Sequence, residues 1–227
     1  MRAVFFDLDG TLTDSSPGIV RSIQHALASL GRAQRGVQEL ESFIGAPLVD
    51  VFAQLLETED QKEPLKALQL YRDRYSRKGL FESNVYAGVP EMLTEIGRGR
   101  ATLYVVTAKP GVFAERIISH LGLGGHFKRI FGSELDGTHT NKTELIRHVL
   151  EQTQLSAKEA VMVGDRHHDI IGARTNGLCS AGVLWGYGSR KELSACKPDI
   201  IADTPKALTE ALTGIQELPG SINARAP

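Results

Sequence analysis

The chain has 227 residues, 41% hydrophobic and 23% charged, with a formal net charge of −1. That composition suits a soluble globule, and it supplies no basic field for a nucleic-acid polymer or an anionic membrane. No apolar run reaches the length of a membrane span, and the only cysteines, Cys179 and Cys196, form no paired metal or redox motif, so two reduced thiols are expected.

The first predicted strand covers residues 2–6, where Ala3, Val4, Phe5 and Phe6 make an apolar run suited to burial on both faces. A strand beginning at residue 2 leaves no room for a signal peptide, and a cytoplasmic protein is expected. Asp7, Leu8, Asp9, Gly10, Thr11 and Leu12 follow. Side chains alternate along an extended chain, so Asp7 and Asp9 point to the same side. Gly10 has no Cβ and permits a sharp turn. Two adjacent carboxylates repel unless a cation or a shared proton lies between them. By itself the stretch also fits an acidic turn after a strand.

Residues 15–84 read as helices only. Ser16-Pro17 has the form of a helix start, with a hydroxyl cap followed by proline, and Gly31 fits the stop. Further helices are predicted at 37–43, 49–56 and 61–75, the last with Leu65, Leu68 and Tyr71 or Arg72 on its apolar stripe. Tyr71 and Tyr75 are read as core of this segment. Ile44-Gly45-Ala46-Pro47-Leu48 breaks the pattern and reads as a helix–helix turn. From residue 85 onward, helices alternate with strands. Strands are predicted at 101–106, 129–131, 160–163, 179–184 and 199–201, and helices at 88–96, 111–121, 141–152, 169–176 and 205–212. The tail from Pro219 is expected to fray. This alternation predicts a parallel sheet with right-handed crossovers, interrupted after its first strand by an all-helical insert.

Ligands of such a sheet bind outside the carboxyl ends of the strands. The polar residues there are Asp7, Asp9, Thr107 and Asp165. Asp169, four residues after Asp165, shares a face with it on a helix. Lys142 opens a helix, with Asn141 as its expected N-cap. His167 and His168 read as exposed loop histidines rather than as a transition-metal site. Carboxylates in this number can hold a hard divalent cation, most naturally Mg²⁺. Thr107 and Lys142 can bind phosphoryl oxygens, and phosphoryl transfer needs mainly positioning and charge neutralisation.

Four motifs in order carry a resemblance to a known family: Asp7-Leu8-Asp9-Gly10-Thr11-Leu12, the strand ending at Thr107, Lys142, and Gly164-Asp165-Arg166-His167-His168-Asp169. Over almost its whole length the sequence resembles the haloacid dehalogenase superfamily of phosphatases, and within it the phosphoglycolate phosphatase-like branch. The resemblance implies a Rossmann-like core at residues 1–14 and 85–227 and a helical cap at 15–84. It implies that Asp7 is a nucleophile forming an aspartyl-phosphate, and that Asp9 is the acid and base. Mg²⁺ would be held by Asp7, the main-chain carbonyl of Asp9, and Asp165, with Asp169 supporting the metal shell. Thr107, Ala108 and Lys142 would bind the phosphoryl group, and Gly45 and Leu48 of the cap would meet the rest of the substrate. Arg166, where relatives often carry serine or threonine, touches none of the assigned catalytic groups on this reading. The implied activity is Mg²⁺-dependent hydrolysis of a small phosphomonoester such as phosphoglycolate, by a monomer or homodimer. A 5′-nucleotidase, a sugar-phosphate phosphatase and a sugar-phosphate mutase share the motifs. A dehalogenase would not need Asp9 or the metal, and a non-enzymatic receiver-like domain would not need the helical insert.

Overall fold

The computed structural model describes residues 1–58, 60, 62–99 and 101–214; the tail expected to fray and the predicted helix start at Gln61 lie outside these. Contacts divide the chain into two compact units, Met1–Thr13 with Val85–Pro227, and Asp14–Asn84.

The first unit is built on a six-stranded sheet. Its strands are β1 (Ala3–Phe6), β2 (Thr102–Pro110), β3 (Arg129–Ser133), β4 (Ala160–Gly164), β5 (Cys179–Val183) and β6 (Ile200–Ala202). They lie in the order β3-β2-β1-β4-β5-β6, every neighbouring pair parallel. β1 is therefore central, with Phe5 in register with Tyr104 on one side and Met162 on the other. All four residues of β1 are fully buried, as its unbroken apolar run predicts.

The Asp14–Asn84 unit contains α1 (Ser16–Ser29), α2 (Val37–Glu41), α3 (Leu48–Leu56) and α4 (Lys62–Arg77). Two-residue strands, Thr13–Asp14 and Asn84–Val85, stand at its ends. The start of α1 differs from the prediction. Ser16 is already helical, and the Asp14 side chain accepts its N–H at 3.0 Å. On α4 the buried stripe is Ala67, Leu68, Tyr71 and Tyr75, whereas Leu65 is 55% exposed. Tyr71 and Tyr75 stack at 5.1 Å, four residues apart on one face. The break before α3 is a turn with Gly45 at φ 97°.

Among the described residues, six α-helices complete the sheet unit: α5 (Val89–Arg98), α6 (Gly111–His120), α7 (Lys142–Thr153), α8 (His167–Thr175), α9 (Arg190–Ala195) and α10 (Pro205–Gly214). Ala3 and Phe5, alternate residues of β1, pack with Tyr104, Val106 and Met162 against Leu145, Ile146 and Val149 of α7 and Ala173 of α8. α8 begins two residues before its predicted start, so His167 and His168 form its first turn and not a loop. α9 has no counterpart in the sequence reading. It is six residues long and buries only Leu193, too little to generate a periodic signal. No helix among the described residues is long and apolar enough to cross a membrane.

Phe5 is fully buried and meets Tyr104 edge-on, with centroids 5.6 Å apart. Phe5→Ala should cost about 3–5 kcal/mol through lost burial and a residual cavity. Chemical denaturation of the two proteins measures the difference.

Candidate active site

Where β1 ends, the Asp7 N–H still donates to Val163 O at 2.9 Å, so this carboxylate leaves from the last paired position of the central strand. The chain then folds back on itself. Leu8 O accepts the N–H groups of Leu12 at 2.9 Å and Thr13 at 3.0 Å. Gly10 has φ 82°, and a Cβ there would fall 2.2 Å from Asp165 Oδ2. Glycine is required here twice, for the backbone conformation and for the approach of Asp165.

α7 delivers Lys142. The Asn141 side chain accepts the N–H groups of Thr143 at 2.9 Å and Glu144 at 3.3 Å, the cap expected from the sequence. Lys142 is buried, and its Nζ donates to Asp7 Oδ1 at 2.7 Å and Val106 O at 3.0 Å. The same ammonium lies 2.8 Å from Asp169 Oδ1. Lys142 thus joins the end of the central strand to the first turn of α8.

Asp165 follows β4 and is fully buried. Its Oδ1 accepts from Thr11 Oγ1 at 3.3 Å and its Oδ2 from the Tyr187 N–H at 2.8 Å. Asp169 Oδ2 accepts the Arg166 N–H at 3.2 Å. Oxygens of Asp7, Asp165 and Asp169 all come within 4.8 Å of one another. The sequence reading set Asp169 in support of the metal shell, and its carboxylate lies beside those of Asp7 and Asp165. Arg166 bonds Asp169 through its main chain.

Two further expected residues lie within β2, which runs on to Pro110 rather than ending at Thr107 as the sequence suggests. Thr107 is buried, with its Oγ1 accepting the Lys109 N–H at 3.2 Å, and Ala108 O accepts from Ser133 Oγ at 2.8 Å. Asp9 is half-buried, and its Oδ2 lies 2.9 Å from Lys109 Nζ. Gly45 and Leu48 belong to the Asp14–Asn84 unit. Lys109 was missed in the sequence; it lies where the register of β2 against β3 shifts between Val106 and Pro110, so strand alternation does not point to it. The segment after β5 was missed as well. Trp185 Nε1 donates to Thr11 O at 2.9 Å, and Tyr187 N–H holds Asp165. Glu192 on α9 accepts from Arg166 Nε at 2.9 Å and from His167 N–H at 3.0 Å. Single residues on loops and on a six-residue helix leave no pattern by which to find them.

The electrostatics follow from burial. Removal from water pushes the Asp7 carboxyl up to about 6, with the negative charges of Asp169 and Asp9 adding to the rise and Lys142 opposing it. Asp165 is pushed well above the usual carboxylate range by burial, then by the charges of Asp169 and Asp7. Burial alone would lower Lys142, but the attraction of Asp169 and Asp7 outweighs it and its pKa is raised. Two buried carboxylates held above the usual carboxylate range, a third close beside them, and donors that are all oxygen fit a hard divalent cation such as Mg²⁺.

A raised carboxyl pKa has a defined effect on stability. Protonated Asp7 favours the metal-free fold fully below the unfolded value of about 4, and that contribution is lost as pH rises through about 6. Asp165 acts in the same direction. The metal-free protein should therefore melt at a lower temperature near neutral pH than near about pH 5, with a smaller difference in Asp7→Asn. Millimolar Mg²⁺ should restore the loss at neutral pH. Melting curves across this range, with and without Mg²⁺, decide the matter; a flat profile would contradict it.

Residues 4–183 match the haloacid dehalogenase-like hydrolase family. A 5′-nucleotidase of Pseudomonas aeruginosa is 48% identical over 92% of this chain and 94% of its own length. The tyrosine-protein kinase PtkA of Mycobacterium tuberculosis is 34% identical over 92% of this chain and 72% of its own length. A phosphoglycolate phosphatase of Vibrio parahaemolyticus is 29% identical over 93% of this chain and 96% of its own. The crystal structure of a predicted phosphatase from Clostridium acetobutylicum superposes with a TM-score of 0.89 at 36% identity, covering 94% of this chain and 99% of the other. The chain belongs to the haloacid dehalogenase-like hydrolases and is an enzyme of their phosphatase group.

Proposed function

We propose that the protein is a Mg²⁺-dependent phosphomonoesterase that works through a phosphorylated Asp7. The observation that carries this reading is the buried Lys142 ammonium between Asp7 and Asp169, beside Asp165. A carboxylate with a cation at one oxygen, at the end of a rigid central strand, is positioned for in-line attack on phosphorus. Mg²⁺, held by the carboxylates of Asp7 and Asp165 and the main-chain carbonyl of Asp9 with Asp169 supporting them, would supply positive charge to the phosphoryl oxygens.

Asp7 forms a bond to phosphorus as the ester P–O bond breaks, and Asp9 gives its proton to the departing alkoxide. Asp9 then takes a proton from water. The water oxygen attacks the phosphorus, the bond to Asp7 breaks, and inorganic phosphate leaves with the Asp7 carboxylate regenerated. Thr107 and Ala108 bind the phosphoryl oxygens, and Lys142 offsets their charge. Lys109 orients Asp9, the group whose proton must move in both steps.

The substrate we propose is a small phosphomonoester. Among such compounds a nucleoside 5′-monophosphate is favoured by the relative of 48% identity, ahead of phosphoglycolate, whose phosphatase is 29% identical. Phosphorylation of tyrosine, suggested by the name of the 34%-identical relative, is a second reading. The pairing of Asp9 with Lys109 favours hydrolysis, because it supplies a held proton carrier two residues after the nucleophile. We also propose that residues 15–84 act as a cap whose turn at Gly45 and Leu48 meets the leaving group.

Purified protein should release inorganic phosphate from nucleoside 5′-monophosphates with Mg²⁺ present and lose this activity on chelation. Asp7→Asn should abolish turnover, and Asp9→Asn should lower kcat by about 10²–10⁴-fold, the usual range for general acid–base catalysis. Full activity after exhaustive chelation, or phosphate trapped on a residue other than Asp7, would falsify the mechanism. Transfer from ATP to tyrosine without phosphate release would establish the second reading. Bulky or charged replacements at Gly45 or Leu48 should change relative rates among nucleotides and phosphoglycolate more than the rate on an aryl phosphate; equal slowing of every substrate would remove the turn from substrate recognition.

A further inference from the structure

Asp165 lies just after β4 and Asp169 in the first turn of α8, so the chain turns between them through Arg166, the N-cap of α8, and His167 and His168. Their carboxylates are buried, close and mutually repelling, so the turn has to be held against them. Glu192 makes that contact. One of its oxygens, Oε1, accepts from Arg166 Nε at 2.9 Å and from the His167 N–H at 3.0 Å, and it lies 2.7 Å from His167 Nδ1. The held residue then turns inward, for the Arg166 N–H donates to Asp169 Oδ2 at 3.2 Å.

The segment leading into α9 grips the other side of the turn. Tyr187 N–H donates to Asp165 Oδ2 at 2.8 Å. A Cβ at Gly188 would lie 1.7 Å from Asp165 O, and one at Gly186 would lie 2.6 Å from Asp165 Cβ. No side chain fits at either position, so the backbone itself packs on Asp165. Ser189 then caps α9 through the Glu192 N–H at 3.1 Å, which fixes the start of the helix that presents the Glu192 carboxylate. This is unlike an exposed ion pair between two long side chains, because one of the donors is main chain and the acceptor is only 23% exposed.

We propose that Glu192 is a positioning residue for the cation site: by clamping Arg166 and His167 it keeps Asp165 and Asp169 facing one point, and Mg²⁺ affinity depends on it. The proposal rests on the reading of Asp7, Asp165 and Asp169 as that site. Outer partners that orient metal ligands typically contribute 10–100-fold in affinity.

Mg²⁺ binding is measured by titration calorimetry, well below the melting temperature, for the wild type, Glu192→Ala, Glu192→Gln and Asp203→Asn. The last breaks the contact of Arg190 with Asp203, an ion pair of the same helix that does not reach the turn. Glu192→Ala should weaken Mg²⁺ by about tenfold or more, and Glu192→Gln, which keeps an acceptor oxygen without the charge, by about threefold. Asp203→Asn should match the wild type. A Glu192→Ala protein that binds Mg²⁺ within about twofold of the wild type, whatever its metal-free melting temperature, overturns the proposal, since a purely structural role would move only the latter. If Glu192→Ala does not fold, Glu192→Gln decides by the same criterion. A wild type that binds no Mg²⁺ overturns the reading of the carboxylate cluster itself and the proposal with it.

Discussion

Mutual repulsion among buried carboxylates is the constraint around which the sheet unit is arranged. Asp7, Asp165 and Asp169 come within a few ångströms of one another at the carboxyl edge of the sheet, largely removed from water. Left alone they would take up protons or move apart. Lys142 counters part of the repulsion with a single buried ammonium that reaches both Asp7 and Asp169. The remainder suits a divalent cation, and the same excess negative charge that destabilises the cluster gives such a cation its affinity. Stability and the proposed activity are set against each other here, as is usual where strongly perturbed groups gather.

The scaffold holds this arrangement through its most rigid parts. Asp7 continues the central strand, whose neighbours on both sides are parallel and whose side chains are fully buried. Lys142 is carried on a side-chain-capped helix, and Asp165 follows another buried strand. The weaker component is the turn between Asp165 and Asp169. Its support comes from the stretch between β5 and α9, where glycines allow the main chain to lie directly on Asp165 and Glu192 reaches across to the turn. Burial would raise the Glu192 carboxyl, but the hydrogen bonds from His167 and Arg166 hold it down to about 2, so it carries its charge throughout the physiological range.

The family's shared chemistry does not determine the substrate. The relatives described above bear the names of a nucleotidase, a phosphoglycolate phosphatase and a kinase, at 48%, 29% and 34% identity. All three kinds of reaction use a phosphoryl group that must be gripped and neutralised, and residues such as Asp7, Thr107 and Lys142 are suited to any of them. Selection among substrates lies with whatever surrounds the leaving group, which has no such chemical signature.

Much of this protein was legible in the one-dimensional chain. Strand and helix alternation after residue 85, the helical insert before it, and the polar residues at the strand ends follow from apolar periodicity and from the rule that parallel sheets bind ligands at their carboxyl edge. Asp7, Asp165 and Lys142 could be named because each ends a buried strand or begins a helix, positions where local pattern is strong. Tertiary structure alone decided which groups meet. The pairing of Asp9 with Lys109, the contact of Asp169 with Lys142, and the grip of Tyr187 and Glu192 on the turn all join residues whose local sequence is unremarkable. Leu65 faces outward for the same kind of reason: helical spacing marks a stripe, but its neighbours decide which edge of the stripe is covered. Periodicity reports burial along a single segment, whereas a contact between distant segments depends on how both are placed by everything between them.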